Sequence, residues 1–299
     1  MRRTEAGLIA THDGKFLVRT DDRPPDQPLR PNRILTLYSP KFEPLKEFPL
    51  PSSAPGEYEM WQVYATATRR SIVVEHGVGR GNEVVLLDPA RGIDVRWLDP
   101  DTLEPKANWA WAGPETPGPG ETGLDFSDAG VAATLRRRAN LFTGAPGSCE
   151  VAVRRIDGPW RSVFRSDGFN CMNAEFVDED IVVFSHGGEI HLLGIDGRVL
   201  LDQRFGKDEF THEVRPSANG RRFAIAIVTS KGGNALLDIG QHEVFKRIMV
   251  FDIPANSWVY TLDSKAAESK YVSDFALSPD GLRLAVMRHG FVDLYELPE

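Results

Sequence analysis

Apolar and polar residues alternate in short runs along nearly the whole chain. Lys15-Phe16-Leu17-Val18-Arg19, Asp94-Val95-Arg96-Trp97-Leu98 and Glu150-Val151-Ala152-Val153-Arg154 are examples. A period of two puts successive side chains on opposite faces, which is the pattern of half-buried strands. Helical spacing is weak, and only Glu209 to Val214 and Ala235 to Phe245 leave room for a short helix. The runs are punctuated by turn residues. Gly (27) and Pro (21) are both raised and fall between apolar stretches, as expected for many short strands.

The strands repeat. A unit opens with a strand, makes a tight turn and enters a second apolar strand. The clearest copy is Val272-Ser273-Asp274-Phe275-Ala276-Leu277-Ser278-Pro279-Asp280-Gly281-Leu282-Arg283-Leu284-Ala285-Val286. A second runs from Val214 through Asn219-Gly220 to Ile225, and weaker copies turn at His12-Asp13-Gly14, Asp128-Ala129-Gly130 and Asp178-Glu179-Asp180. Asp-Gly and Asn-Gly suit such hairpins because they tolerate positive φ. A third strand, a second turn and a fourth strand follow. The second turns are Ser39-Pro40, Asp99-Pro100-Asp101, Asp157-Gly158, Asp196-Gly197 and Pro254-Ala255-Asn256. Each unit therefore reads as a four-stranded meander.

Phe275 to Ala285 resembles the inner hairpin of WD40-like and TolB-like β-propeller repeats. Val292-Asp293-Leu294-Tyr295-Glu296-Leu297 resembles the third strand of a WD40 blade, and Met249 to Ile253 and Val95 to Asp99 match the same position. The last two units carry the pattern sharply. The Gly-His and Trp-Asp pairs of regular WD40 repeats are absent, so the resemblance implies a fold and assigns no function. It implies an all-β chain, a β-propeller of about six four-stranded blades in a single domain over 1–299. The blades fall at about 7–51, 58–112, 122–166, 173–205, 212–263 and 271–299, the last with three strands. A β-sandwich or two all-β domains is the rival arrangement, and it leaves the repeating four-strand order unexplained. With Met1 to Ala6 alone before Gly7, a strand to complete the last blade is expected from further upstream.

Charge changes the list of partners. Lys and Arg number 35 against 43 Asp and Glu, a net charge of −8, which argues against nucleic acid. The one basic run, Arg136-Arg137-Arg138, reads as the solvated end of a strand or as a phosphate contact. No segment has the length and apolarity of a membrane span. Met1-Arg2-Arg3 resembles the start of an export signal without the apolar stretch that should follow. As written the chain is expected in the cytoplasm, or in the periplasm or medium if an upstream signal precedes it. Two cysteines, Cys149 and Cys171, form no disulfide scaffold; they read as two free thiols or, if the protein is exported to an oxidising compartment, as one bridge.

If the strands of a blade are lettered A to D from the axis outward, the A–B and C–D turns share one face and the B–C and D–A connections share the other. The first set is short. The second holds the long segments, Asp21 to Pro31, His76 to Gly92, Ala139 to Ser148 and Ser230 to Lys246, with the crossings Pro51 to Glu57 and Gly113 to Thr122. Long loops on a rigid scaffold are the usual place for binding groups.

Catalytic signals are sparse. The seven histidines form neither a His-x-His pair nor a His-Glu-x-x-His helix. His76, His186 and His289 each stand at the end of a second strand beside a glycine, and they are ligand-binding candidates on one face. A shared metal site would need them to converge, and no metal is expected. His212-Glu213, Asp125 and Asp274 lie on or near predicted first strands. They are either acid–base groups of a central channel or hydrogen-bonded supports of those strands, and His212 and Asp274 join the ligand-binding candidates. The segments Gly77 to Gly81 and Lys231 to Asn234 lack the strand-to-helix context of phosphate loops, and Gly-x-Ser-x-Gly is absent. Trp97, Trp109, Trp111, Trp160 and Trp258 are expected mostly on outer strands, packing one blade on the next. The leading expectation is a cofactor-free, non-enzymatic scaffold that binds a protein or small ligand on the long-loop face, without catalytic residues. The alternative is a hydrolase or lyase acting in the channel.

Overall fold

The computed structural model describes residues 8–11, 15–22, 32–50, 58–79, 93–111, 121–138, 147–167, 171–206, 208–231, 242–263, 272–288 and 290–299. They form strands and turns and no helix, so the chain is all-β. Spatial proximity groups the chain into two compact units, residues 2–119 and 120–299.

The unit of residues 2–119 holds two antiparallel sheets. The first is β1 (Leu8–Ala10), β2 (Phe16–Asp22), β3 (Asn32–Tyr38) and β4 (Pro44–Pro49). The second is β5 (Tyr58–Ala65), β6 (Ile72–Gly79), β7 (Ile93–Leu98) and β8 (Pro105–Trp111). Leu17, Leu35 and Leu37 pack against Ile72, Val74 and Leu98 between them, and Lys15 pairs with Asp101 at 2.6 Å on the rim.

The unit of residues 120–299 holds four more sheets. The third is β9 (Glu121–Phe126), β10 (Val131–Arg138), β11 (Ser148–Arg155) and β12 (Arg161–Asp167). The fourth is β13 (Cys171–Phe176), β14 (Ile181–His186), β15 (Glu189–Gly194) and β16 (Val199–Arg204). The fifth is β17 (Glu209–Pro216), β18 (Arg222–Lys231), β19 (His242–Asp252) and β20 (Ser257–Asp263). The sixth has three strands among the described residues, β21 (Val272–Leu277), β22 (Arg283–Arg288) and β23 (Phe291–Glu296). In every sheet the strands pair in chain order, the meander that the repeat predicted.

Packing explains why second and third strands are written as nearly unbroken apolar runs. In Phe223 to Val228 the odd-numbered residues Phe223, Ile225 and Ile227 join Val183, Ile190 and Leu192 of the fourth sheet. The even-numbered Ala224, Ala226 and Val228 join Phe275, Leu277, Leu284 and Val286 of the sixth. A strand covered on both faces loses the polar half of its alternation. The small Ala224 and Ala226 leave room for Phe275 opposite, so close packing is kept by pairing small against large.

The two sharp repeats close their first turns in the same way. Ser217 N–H donates to the Arg222 carbonyl at 2.8 Å, and Ser278 N–H to the Arg283 carbonyl at 2.9 Å. Gly220 and Gly281 take φ of 69° and 73°, where a side chain is strained. Arg222 is fully buried behind the first of these turns. Its Nε donates to Asp252 Oδ2 at 2.8 Å and its Nη1 to the Gly281 carbonyl at 3.0 Å, so a charge of the fifth sheet holds the turn of the sixth.

Two local expectations change. Glu209 to Val214 is extended within β17, because Val214 has a place in the core between the fourth and fifth sheets. Of Ala235 to Phe245, residues 242–245 belong to β19 and 235–241 lie outside the described residues.

Removing one partner of a buried ion pair strands the other charge. Arg222→Leu should therefore cost about 3–5 kcal/mol in urea unfolding, whereas Arg221→Ala, whose guanidinium is half-exposed, should cost no more than about 1 kcal/mol. Burial alone would raise the Asp252 carboxyl. The hydrogen bonds from Arg222 and the Ala255 N–H and the charges of Arg221 and Arg222 hold it below its ordinary value instead. A carboxyl lowered by folding contributes stability above its unfolded pKa, roughly 4, and that contribution is lost as pH falls through the folded value. The acid-induced loss of stability should be shallower in Arg222→Leu.

Candidate functional site

The first strands of the third to sixth sheets share an irregularity. On β17, Thr211 pairs with Ile227 but Val214 with Ile225, so one residue is extra. On β21, Val272 pairs with Arg288 and Asp274 with Met287. The same shift occurs on β13 between Cys171 and Asn173, and in the pairing of β9 with β10, where Thr122 and Leu124 face Leu135 and Thr134. Such bulges twist a strand and re-aim the side chains around them.

The bulges of β17 and β21 bring four polar residues into one network. Arg215 Nη2 donates to Glu213 Oε2 at 3.0 Å and reaches Asp274 Oδ1 at 3.4 Å, so it bridges the fifth and sixth sheets. Its Nη1 donates to the Val214 carbonyl at 3.3 Å, and the guanidinium lies 5.8 Å from the Phe275 ring centroid. His212 Nδ1 stands 3.9 Å from Glu213 Oε1. The Asp274 side chain is 54% exposed and His212 39%, whereas Glu213 is 16% exposed. One cation thus sits between two carboxylates, open to solvent on the Asp274 side. Arg215 can exchange Asp274 for a ligand oxygen, and Asp274 can accept from a ligand hydroxyl or amine. The 3.9 Å separation of His212 and Glu213 is longer than a hydrogen bond.

Asp125 accepts the N–H of its following residue, as Asp274 Oδ1 does that of Phe275 at 2.8 Å, and has a further task. It is buried, and it accepts the N–H of Phe126 at 2.8 Å and that of Phe176 at 2.7 Å, which ties β9 to β13. This is the strand-support reading of that residue.

Of the remaining candidates, two are described. His76 lies within β6, opposite Trp61 and Asp94. His186 ends β14 and belongs to a separate cluster on the fourth sheet. The two are equivalent in register: each stands five residues past a residue, Ser71 or Ile181, whose carbonyl closes the first turn. His289 lies outside the described residues. No group of three or more His, Cys, Asp or Glu among the described residues is arranged to hold a metal. Cys149 is fully buried on β11 and is not a free thiol. Arg136, in the basic run, is half-buried in β10 with its guanidinium 5.3 Å from the Trp160 ring centroid. Trp258 of β20 packs against Phe205, Phe223 and Phe251 across the fourth and fifth sheets, while Trp97 sits on the third strand β7, buried.

Most of the long segments lie outside the described residues, but their ends are strand. Asp21 continues β2, His76 to Gly79 continue β6, and Lys231 pairs with His242 between β18 and β19. Glu213 and Asp274 were legible as first-strand carboxylates. Arg215 was missed, since a single arginine before a proline carries no sequence signal until the bulge turns it between them.

No family model matches the chain, and no curated protein is similar to it in sequence. Solved structures do share its fold. The C-terminal WD40 domain of Sif2 superposes over 98% of this chain and 81% of that one, with a TM-score of 0.52 and 12% identity. Kuenenia stuttgartiensis hydrazine synthase superposes over 97% of this chain and 76% of that one, with a TM-score of 0.51 and 13% identity. Identity this low shows fold alone, and the fold is that of a six-bladed, WD40-like β-propeller. No helix among the described residues is long and apolar enough to cross a membrane.

The two first-strand aspartates should separate in urea unfolding. Asp125→Ala removes a buried acceptor of two N–H groups and should cost ~3 kcal/mol. Asp274→Ala, at an exposed position, should stay within about 1 kcal/mol.

Proposed function

We propose that the chain is a non-enzymatic β-propeller scaffold, one domain over residues 1–299. It binds a protein or small ligand on the face of its second-to-third-strand and sheet-to-sheet connections. The observation that carries this reading is the contrast between the two sets of connections. The turns at Thr66–Ser71, Ser127–Val131, Val177–Ile181, Ser217–Arg222 and Ser278–Arg283 are short and closed by backbone hydrogen bonds of 2.8–3.0 Å. Those at Ser39–Glu43, Asp99–Glu104 and Gly194–Arg198 are closed in the same way. Turns of this kind leave little free hydrogen-bonding capacity. The opposite connections run from Asp22 to Asn32, Gly79 to Ile93, Arg138 to Ser148 and Lys231 to His242, long enough to carry recognition groups. The fourth and sixth sheets are exceptions, with Gly187-Gly188 and His289-Gly290 between their second and third strands.

Grafting a two-residue turn in place of 232–241 leaves the β18–β19 pairing in place and tests this reading. Affinity capture from the native cell extract, read by mass spectrometry with wild type and graft side by side, should show a partner lost from the folded graft. An unchanged set of partners would reject this loop as the binding element.

A second reading, an enzyme using first-strand residues, is favoured by one observation: His212, Glu213 and Asp274 surround Arg215. Turnover of a saccharide or peptide substrate by wild type that disappears in folded His212→Ala and Asp274→Asn variants would establish it over the scaffold reading.

We also propose that Cys149 pairs with Cys171, the only other cysteine in the sequence. The buried position of Cys149 and its lack of a free thiol support the pairing. Thiol titration of denatured, unreduced protein from its own compartment should find none, and two free thiols would reject the bridge.

A further inference from the structure

The fourth sheet carries a polar cluster that neither reading uses. Phe184 and His186 of β14 face His191 and Glu189 of β15, which face Asp202 and Arg204 of β16, so all six share one side of the sheet. His191 is 4% exposed, although it is polar. Its ring lies 4.5 Å from that of Phe164 and 5.6 Å from that of Phe184, centroid to centroid. Phe164 belongs to β12, so the imidazole stands between the third and fourth sheets.

Both ring nitrogens of His191 are buried and neither makes a hydrogen bond among the described residues; the same holds for His186. A buried polar group without a partner is costly, and histidine is the side chain that titrates near neutral pH. Carboxylates wait on both sides. Asp202 Oδ1 is 3.4 Å from His191 Nδ1, and Glu189 Oε2 is 3.9 Å from His191 Nε2. Glu189 is itself shared: Oε2 lies 3.8 Å from His186 Nδ1, and Oε1 lies 3.5 Å from Arg204 Nε. The ring is thus poised between two states. Neutral, it stacks on phenyl rings and forgoes hydrogen bonds. Charged, it has two acceptors within a short movement.

We propose that His191 is a proton-operated latch between the third and fourth sheets, holding Phe164 when neutral and releasing it when protonated. The charged ring turns toward Asp202 and Glu189 to donate to them. Doing so withdraws it from Phe164, and the contact between β12 and β15 opens. The charges that act on His191 are those of Asp202, Glu189 and His186, and from the third sheet Phe164 lies against the ring.

Burial keeps the imidazole below its ordinary pKa, with Asp202 and Glu189 opposing that shift and His186 adding to it. The unfolded chain therefore binds the proton more tightly than the folded one. Stability contributed by neutral His191 is complete above the unfolded pKa, roughly 6.5, and is lost as pH falls toward the folded value.

The experiment compares wild type with His191→Leu in urea unfolding from pH 7.5 to 5.0. In that window the wild-type folding constant should fall more steeply than the variant's, by up to about tenfold per pH unit for one proton. Equal slopes would overturn the proposal. Hydrogen exchange on wild type at pH 5.5, corrected for intrinsic rates, tests the opening itself. Amides of β12 and β15 should lose protection while those of β19 and β22 keep it; loss spread evenly over all four strands would overturn the latch. If His191→Leu does not fold, the carbon-bound ring proton of His191 in the native protein decides by NMR titration. An inflection below the ordinary histidine value, coincident with the exchange change, supports the latch, and one at or above that value overturns it.

Discussion

The Arg222–Asp252 pair is the constraint to which the rest of the larger unit is fitted. A guanidinium with no exposure must be neutralised; here Nε and Nη1 have acceptors, and Nη2 has none among the described residues. Asp252 supplies the charge from the third strand of the same sheet, and the Gly281 carbonyl supplies a second acceptor from the turn of the next. That demand ties the fifth sheet to the first turn of the sixth. It also accounts for glycine at 281: a Cβ there would stand 3.4 Å from the Arg222 side chain and 3.3 Å from Ser217 Oγ, at a φ that already disfavours one. The turn of the sixth sheet is held further by Asn219, whose side chain donates to the Asp280 carbonyl at 2.9 Å.

The same solution recurs with other chemistry. Between the third and fourth sheets, the buried Asp125 takes the place of the arginine and accepts the Phe176 N–H. In each case apolar packing supplies the affinity between sheets, while a buried polar group directed at a neighbour's backbone sets the register. Hydrophobic burial is not directional. Sheets of alternating Val, Ile and Phe could slide on one another, and a hydrogen bond of 2.7 Å to one chosen N–H does not allow that.

The first strands are where this order is relaxed. Bulges break the pairing on four of them at about the same level, and those of β17 and β21 lie beside the polar residues His212, Glu213 and Asp274. Arg215 spans two sheets there without being buried. A network that is half-solvated costs the fold little and can change partners.

Sequence by itself determined the all-β class, the meander order and the six-sheet count, because period-two alternation and Asp-Gly or Asn-Gly turns are local features that each strand and hairpin carries within a few residues. It also marked first-strand carboxylates and second-strand histidines as worth following. What it left open depends on neighbours. Asp125 and Asp274 look alike in sequence, yet one is a buried strand support and the other an exposed end of a network, and only the packing of β9 on β13 distinguishes them. His191 reads as an ordinary strand residue; its isolation comes from Phe164, on a strand of another sheet. Arg222 reads as a solvated turn cation until a neighbouring sheet covers it. Tertiary structure decided these cases because burial and partnership belong to pairs of elements distant in the chain, and alternation along one strand carries no record of what lies across the interface.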